Sequence, residues 1–241
     1  MARIVIVGGR GKVASRLATL LAKRGDTVHS IVRDPSHKGD IEKLGATPIV
    51  ESIEDASIDD LAQIFSGNDA VIFSAGAGGK GGAERTKKVD LEGAKKVVDA
   101  TKKAGVKRFL LVSANTARPK DDIPSHWDKQ DVERFLKSWE ALPDYYEAKI
   151  EADRYVLQQD DLDWTILRPG LLSDAPGTGK VSLGKTGLST DITRDDVAAV
   201  LVALLDQPQS KHLALDLING DTSINEAVKK AVEARYSALS L

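Results

Sequence analysis

Ile4–Val7 is an unbroken apolar run that ends in glycine. The period changes after it: Val13, Leu17, Leu20 and Leu21 recur at helical spacing from Lys12 to Arg24, and the pattern stops at Gly25. This alternation recurs along the chain. Strands are predicted at Thr27–Val32, Thr47–Val50, Ala70–Phe73, Phe109–Val112, Trp164–Leu167 and Leu213–Ile218. Helices are predicted at Ile58–Phe65, Glu84–Ala104, Tyr145–Gln159, Asp195–Leu205 and Asn225–Ala234, with a short one closing at Ile41–Leu44. Short strands without polar alternation, separated by helices, indicate an α/β fold: a doubly wound parallel sheet covered on both faces. Ligands of such a sheet bind at the carboxyl ends of its strands, so the residues just after each strand are the functional candidates.

The segment 115–144 departs from this rhythm, carrying Pro119, Pro124 and Pro143 with Trp127 and Trp139. Its position after a central strand suits a lid over a site, or a surface excursion packed by its tryptophans. Residues 171–192 show no regular pattern either. Both are expected as substrate-side inserts in a single domain spanning 1–241, with a small C-terminal substrate-side portion.

Composition narrows the function classes. Hydrophobic residues at 41% and charged residues at 29% describe a globular chain, and 241 residues bury a full core without staples. The absence of cysteine excludes disulfides, thiolate metal sites and a cysteine nucleophile. A net charge of −2 carries no nucleic-acid signature. The apolar runs are too short for a membrane span and the N-terminus lacks a signal-peptide pattern, so a cytoplasmic protein is expected. His29, His37, His126 and His212 are scattered without ligand spacing, which argues against zinc. Lys87-Lys88, Lys95-Lys96 and Lys102-Lys103 share their helix with Glu84, Glu92 and Asp99 and read as a solvated face.

Two sets of residues carry chemistry. Gly8-Gly9-Arg10-Gly11-Lys12-Val13-Ala14 follows the first strand and opens a helix. Gly8 permits a tight turn, Gly11 lets backbone approach a pyrophosphate, and the N–H groups of Lys12 and Val13 face the anion at the positive end of the helix. The second strand ends Val32-Arg33-Asp34. An arginine there accommodates a ribose 2′-phosphate, as does Arg10 in the loop, whereas an aspartate pairs with a 2′-hydroxyl. The arginines favour NADP; a one-residue shift placing Asp34 in the ribose position would favour NAD. The second set is Ser113, at the end of the fifth strand, with Tyr145 and Lys149 one helical turn apart. A lysine ammonium beside a phenol favours the phenolate and lowers its pKa.

Ser113, Tyr145-x-x-x-Lys149, the glycine turn, Ser74-Ala75-Gly76 and Arg168-Pro169-Gly170 occur in an order that resembles the short-chain dehydrogenase/reductase superfamily, in its atypical NAD(P)-binding, NmrA-like and epimerase-like branch. Ile192 to Ala198 extends the likeness over nearly the whole chain. The resemblance implies a Rossmann-type fold and gives roles to residues. Tyr145 would be the acid/base, Lys149 would hold the nicotinamide ribose and tune Tyr145, and Ser113 would position the carbonyl. Ala75 and Gly76 would pass beside the cofactor ribose, Pro169 and Gly170 would touch the carboxamide, and Ser52 and Ile53 would lie near the adenine. Apart from the resemblance, the glycine-rich loop Gly76–Gly82, with Lys80 inside it, reads as a mobile loop bordering the nicotinamide, or as a phosphate nest. The chain departs from the pattern at Ala14 (usually glycine), at Ser52 (more often aspartate) and at Asp90 (often asparagine, a proton-relay residue). The step from Ser113 to Tyr145 is also longer than in the superfamily's standard members.

The function expected is an NADP-dependent oxidoreductase, reducing a carbonyl or oxidising an alcohol on a small organic molecule, as a monomer or homodimer with no nucleic-acid or membrane partner. Two alternatives stay open: an epimerase or dehydratase that recycles a tightly held NAD(P), and a non-catalytic regulator that senses NADP(H).

Overall fold

The computed structural model describes residues 1–77, 81–188 and 191–239. β1 (Arg3–Val7) buries Ile4 and Ile6 on one face of the sheet and Val5 and Val7 on the other. A strand covered on both sides needs apolar side chains at every position, which is why this run reads as continuous. Each such side chain taken out of water contributes about 1.5–3 kcal/mol.

Along the chain β1 is followed by α1 (Lys12–Arg24), β2 (Thr27–Val32), α2 (Lys38–Lys43), β3 (Thr47–Val50), α3 (Ile58–Phe65) and β4 (Ala70–Phe73). α4 (Gly82–Thr86) passes through a π-helical turn at Lys87–Glu92 into α5 (Gly93–Lys103). Then come β5 (Arg108–Val112), α6 (Lys129–Ala141), α7 (Pro143–Leu157), β6 (Asp163–Pro169) and β7 (Leu172–Ser173). β8 (Lys180–Gly184), β9 (Ile192–Thr193), α8 (Arg194–Leu205), β10 (Leu213–Asn219), β11 (Thr222–Ser223) and α9 (Ile224–Glu233) complete the order.

The main sheet runs β11-β8-β10-β6-β5-β4-β1-β2-β3. Its strands from β3 to β10 are parallel. From β1 the chain winds out through β2 and β3, then crosses to β4 on the other side and winds out through β5 and β6. The crevice above β1 and β4 is therefore the switch point at which such folds bind ligands. One face is covered by α1, α8 and α9 through Leu17, Leu21, Val197, Leu201 and Val228. The other is covered by α3, α5 and α7 through Leu61, Phe65, Val97, Val98 and Val156.

Three features depart from the sequence pattern. β8 and β11 add an antiparallel margin to the expected parallel sheet. The predicted helix Glu84–Ala104 contains the π turn, an insertion that buries Asp90 on the side facing the crevice. The insert 115–144 holds a full helix, α6, which Asp128 caps by accepting from the Asp131 N–H at 2.8 Å.

Candidate active site

The turn after β1 touches the turn after β4. Gly8 has φ +85°, and a Cβ on it would lie 2.6 Å from Ala75 Cα, so glycine alone fits there. A Cβ on Gly11 would meet the Gly8 carbonyl oxygen at 3.1 Å and that of Ser74 at 3.5 Å. No side chain caps the N-terminus of α1, and its first turn carries no acid, whereas Ser57, Asp128 and Thr193 cap α3, α6 and α8. The close backbone approach and the uncapped N–H groups at Lys12 and Val13 fit a pyrophosphate.

Beside this turn lies a cavity of about 430 Å³, whose wall includes Gly8, Arg10, Gly11, Arg33, Ser52, Ile53, Ala75 and Gly76. Arg10 pairs with Asp40 at 3.1 Å, while Arg33 and Arg85 converge on Glu54 at 3.2 and 3.7 Å. Asp34 turns to its own backbone: its carboxylate accepts from the Ser36 N–H at 2.9 Å and caps a 3-10 turn. Hydrogen bonds from Ser36 hold that carboxyl below the ordinary aspartate range. Two expected cofactor residues sit differently from their neighbours. The Lys12 ammonium is exposed and pairs with Asp174, which also meets Arg16 and Arg194. The Val13 side chain packs in the core under α1, so only its backbone faces the crevice. Within the expected nicotinamide loop, residues 78–80, Lys80 among them, lie outside the described residues.

A second cavity, of about 680 Å³, opens above β5 and β6. Its wall brings together Ser113, Tyr145, Pro169 and Gly170, which the sequence separates by up to 57 positions. The insert contributes Arg134, Ser138 and Leu142 from α6 and its end, and the segment after β6 contributes Leu171, Leu172 and Leu188. Trp127 and Trp139 anchor the insert, donating to the carbonyls of Thr186 at 2.9 Å and Arg118 at 3.1 Å. The insert is thus both packed by its tryptophans and a wall of the cavity.

Lys149 is buried beneath Tyr145, its Nζ 5.9 Å from the centre of the phenol ring. It forms an ion pair of 3.0 Å with Asp90, whose other oxygen accepts from the Ala77 N–H at 2.9 Å. Burial works against the lysine's charge, but Asp90 outweighs it and holds Lys149 above its ordinary pKa. The phenol departs from the sequence expectation. Burial holds the Tyr145 pKa above its usual value, and the lowering influence of Lys149 does not overcome this. The ammonium's charge is already answered by Asp90.

Ser113 belongs to a buried polar network. Its hydroxyl donates to Asp153 Oδ2 at 2.9 Å, and Arg168 donates to the same oxygen at 2.8 Å. Arg168, fully buried, also donates to Asp216 at 2.8 Å and to the carbonyls of Ala117 and Asn115. Arg118 reaches Asp216 from the far side at 3.4 Å. Burial pushes the Asp153 carboxyl up to about 6, against the opposing influence of Arg168. Sequence reasoning passed over Asp153 and Asp216, yet both leave a trace. Asp153 continues the four-residue step from Tyr145 through Lys149, and Asp216 is a lone acid in the apolar run Leu213–Ile218.

The chain matches the NAD(P)H-binding family over residues 8–208. It is 39% identical over 232 residues to UPF0659 protein C216.03 of Schizosaccharomyces pombe, covering 95% of this chain and 94% of that one. It is 38% identical over 229 residues to the uncharacterized sugar epimerase YhfK of Bacillus subtilis, covering 95% and 99%. Among solved structures, a Bacillus halodurans protein assigned to the NAD-dependent epimerases/dehydratases superposes with a TM-score of 0.82 at 32% identity, covering 95% of this chain and all of that one. The glycine turn at the switch point and a match that runs through the second cavity give the same result: the chain belongs to the NAD(P)H-binding family, in the epimerase/dehydratase-like branch of the atypical short-chain dehydrogenases/reductases.

Proposed function

We propose that the protein is an NADP-dependent oxidoreductase that interconverts an alcohol and a carbonyl on a small organic molecule. The observation that carries this reading is that the two cavities open at the carboxyl ends of neighbouring strands, one at β1 and β4 and the other at β5 and β6. Gly8, Arg10, Gly11 and Arg33 border one, and Ser113, Tyr145, Pro169 and Gly170 border the other. A dinucleotide lying across the switch point would have its pyrophosphate at the α1 N-terminus, its adenine beside Ser52 and Ile53, and its nicotinamide near Pro169 and Gly170. Bound there, it supplies hydride chemistry at the nicotinamide ring.

The chain's own groups then have defined work. Lys149, held by Asp90 beneath Tyr145, would hold the nicotinamide ribose. Tyr145 and Ser113 hold the reacting oxygen from one cavity wall. Arg33 and Arg10 would receive the 2′-phosphate, exchanging their carboxylate partners Glu54 and Asp40 for a dianion that offers bidentate pairing. Asp34, engaged with Ser36, leaves the ribose position to Arg33.

YhfK's name as a sugar epimerase favours a second reading, in which the same site oxidises a sugar hydroxyl and returns the hydride to the same carbon. Nucleotide analysis of the purified protein, with fluorescence titration of NADPH and NADH, separates the two. An oxidoreductase that releases its cofactor purifies empty and binds NADPH reversibly, with tighter affinity than NADH. A protein that purifies with stoichiometric nucleotide and consumes none supports the epimerase. Failure to bind either nucleotide overturns both.

A further inference from the structure

One face of α6 runs along the second cavity. Arg134 and Ser138 on the helix and Leu142 at its end all border the cavity, and they follow one another at four-residue steps, one turn apart. At 1.5 Å of rise per residue this face is about 12 Å long. Its two ends differ in chemistry. Leu142 leads through Pro143 into α7 and Tyr145, where the reacting oxygen is held on the reading above. Arg134 stands at the other end.

The Arg134 guanidinium has donors to offer. Of the five N–H groups such a side chain carries, one at Nη1 goes to the Leu188 carbonyl at 3.1 Å. The acid nearest in sequence on its own face, Asp131, is buried and accepts from the Leu188 N–H at 2.7 Å, and no carboxylate pairs with Arg134 among the described residues. Arg194 borders the same cavity from the start of α8. It pairs with Asp174 at 3.0 Å, but Lys12 and Arg16 converge on that carboxylate too, and Arg16 also meets Asp195. Among the described residues, three cations thus share two carboxylates. The acid on the cavity wall, Asp191, accepts from Asn219 Nδ2 at 3.3 Å. The wall therefore carries an excess of positive charge in a chain whose net charge is −2.

Leucines supply the apolar part of the wall. Leu142 and Leu171 are 47% and 80% exposed, and Leu172 and Leu188 border the same space. Leucine surface left this open gains from being covered by an apolar body.

Resting on the oxidoreductase reading above, we infer that the substrate of this site is an organic acid, whose carboxylate pairs with Arg134 under the added positive field of Arg194. Its hydrocarbon body covers Leu142 and Leu171, and its carbonyl or hydroxyl group reaches Tyr145 and Ser113. Guanidinium and carboxylate match as planar forks joined by two parallel N–H···O bonds, which fixes the orientation of the body between them and Tyr145. The length of the α6 face separates the acid from the reacting carbon by about 12 Å.

The test is calorimetric titration with 9-oxodecanoate and with its methyl ester, which lacks the charge and keeps the rest. NADP+ is present throughout, so that ketone and oxidised cofactor cannot react. Wild type is compared with Arg134→Gln and with Lys137→Gln, an exposed cation on the same helix that does not border the cavity. Wild type and Lys137→Gln should bind the acid roughly 10-fold more tightly than the ester, and the preference should vanish in Arg134→Gln. Equal binding of acid and ester by wild type, absence of binding by both included, overturns the inference. So does a preference that survives in Arg134→Gln or is lost in Lys137→Gln. Failure of the underlying reading shows separately when NADPH replaces NADP+: an acid preference that depends on Arg134, without NADPH consumption, overturns the oxidoreductase and leaves the acid site standing.

Discussion

Lys149 and Asp90 form an ion pair of 3.0 Å in which the lysine side chain is 6% exposed and the aspartate 0%. The pair joins α7 to the π turn, and through Ala77 it joins both to the loop after β4. Asp90 therefore fixes the height of the lysine and the path of the backbone expected to pass beside the ribose. Removing one partner of a buried pair strands the other, so Asp90→Ala should cost about 3–5 kcal/mol in urea unfolding. Asp90→Asn keeps an acceptor for Ala77 and should cost less. Equal stability of wild type and Asp90→Ala would show that the pair does not hold these elements together.

Asp153 predicts a pH dependence of stability. Its folded value of about 6 lies above that of an unfolded aspartate, so the folded state binds this proton more tightly. Its contribution is complete below about pH 4 and is lost as pH rises through about 6, a swing of about 3 kcal/mol. Thermal melts of wild type and Asp153→Asn between pH 4 and 7 isolate it, because the other carboxylates cancel in the difference. Wild type should lose ground to the variant as pH rises; a constant difference would place the Asp153 titration elsewhere.

The cofactor pocket predicts an asymmetric loss. Arg33 faces a cavity shared with Arg10 and Arg85, and a charged hydrogen bond to phosphate is worth about 1.5–3 kcal/mol. Arg33→Ala should weaken NADPH binding by roughly 10- to 100-fold while leaving NADH affinity near its wild-type value. Equal losses for both nucleotides would show that Arg33 does not read the 2′-phosphate.

Much of this arrangement was legible in the sequence, for physical reasons. Buried parallel strands are apolar at every position, so Ile4–Val7, Ala70–Phe73 and Phe109–Val112 announce themselves, and with them the crevice where Gly8 meets Ala75, with Ser113 at the end of the neighbouring strand. β8 was not legible because Lys180, Ser182 and Gly184 break its apolar run, and β11 because it is only two residues long. The helix α6 shows Val132, Phe135, Leu136 and Trp139 at helical spacing, but the prolines around it disguise the segment as a loop. The Tyr145–Lys149 step is local and readable, whereas the burial that raises the phenol and the partner that answers the lysine arise from tertiary packing.

Gly8 gives a further check on the geometry of the crevice. Its positive φ and the 2.6 Å approach to Ala75 leave no room for a methyl group. Gly8→Ala should adopt a strained turn costing about 1–3 kcal/mol and push the β1 and β4 turns apart. The expected result is a lower melting temperature together with weaker NADPH binding by fluorescence titration. A variant that melts and binds like wild type would mean that the turn relaxes freely.

The most direct test of the account is nucleotide consumption in both directions by wild type and Tyr145→Phe. NADPH is offered with a panel of aldehydes, ketones, quinones and enones, and NADP+ with the matching alcohols. On the proposed function, Tyr145→Phe would lose the hydrogen bond to the reacting oxygen and keep the nucleotide pocket. Turnover should therefore fall by roughly 10²–10⁴ with NADPH affinity unchanged. Turnover that persists in Tyr145→Phe at the wild-type rate would contradict the account and move the chemistry away from the wall shared by Ser113 and Tyr145.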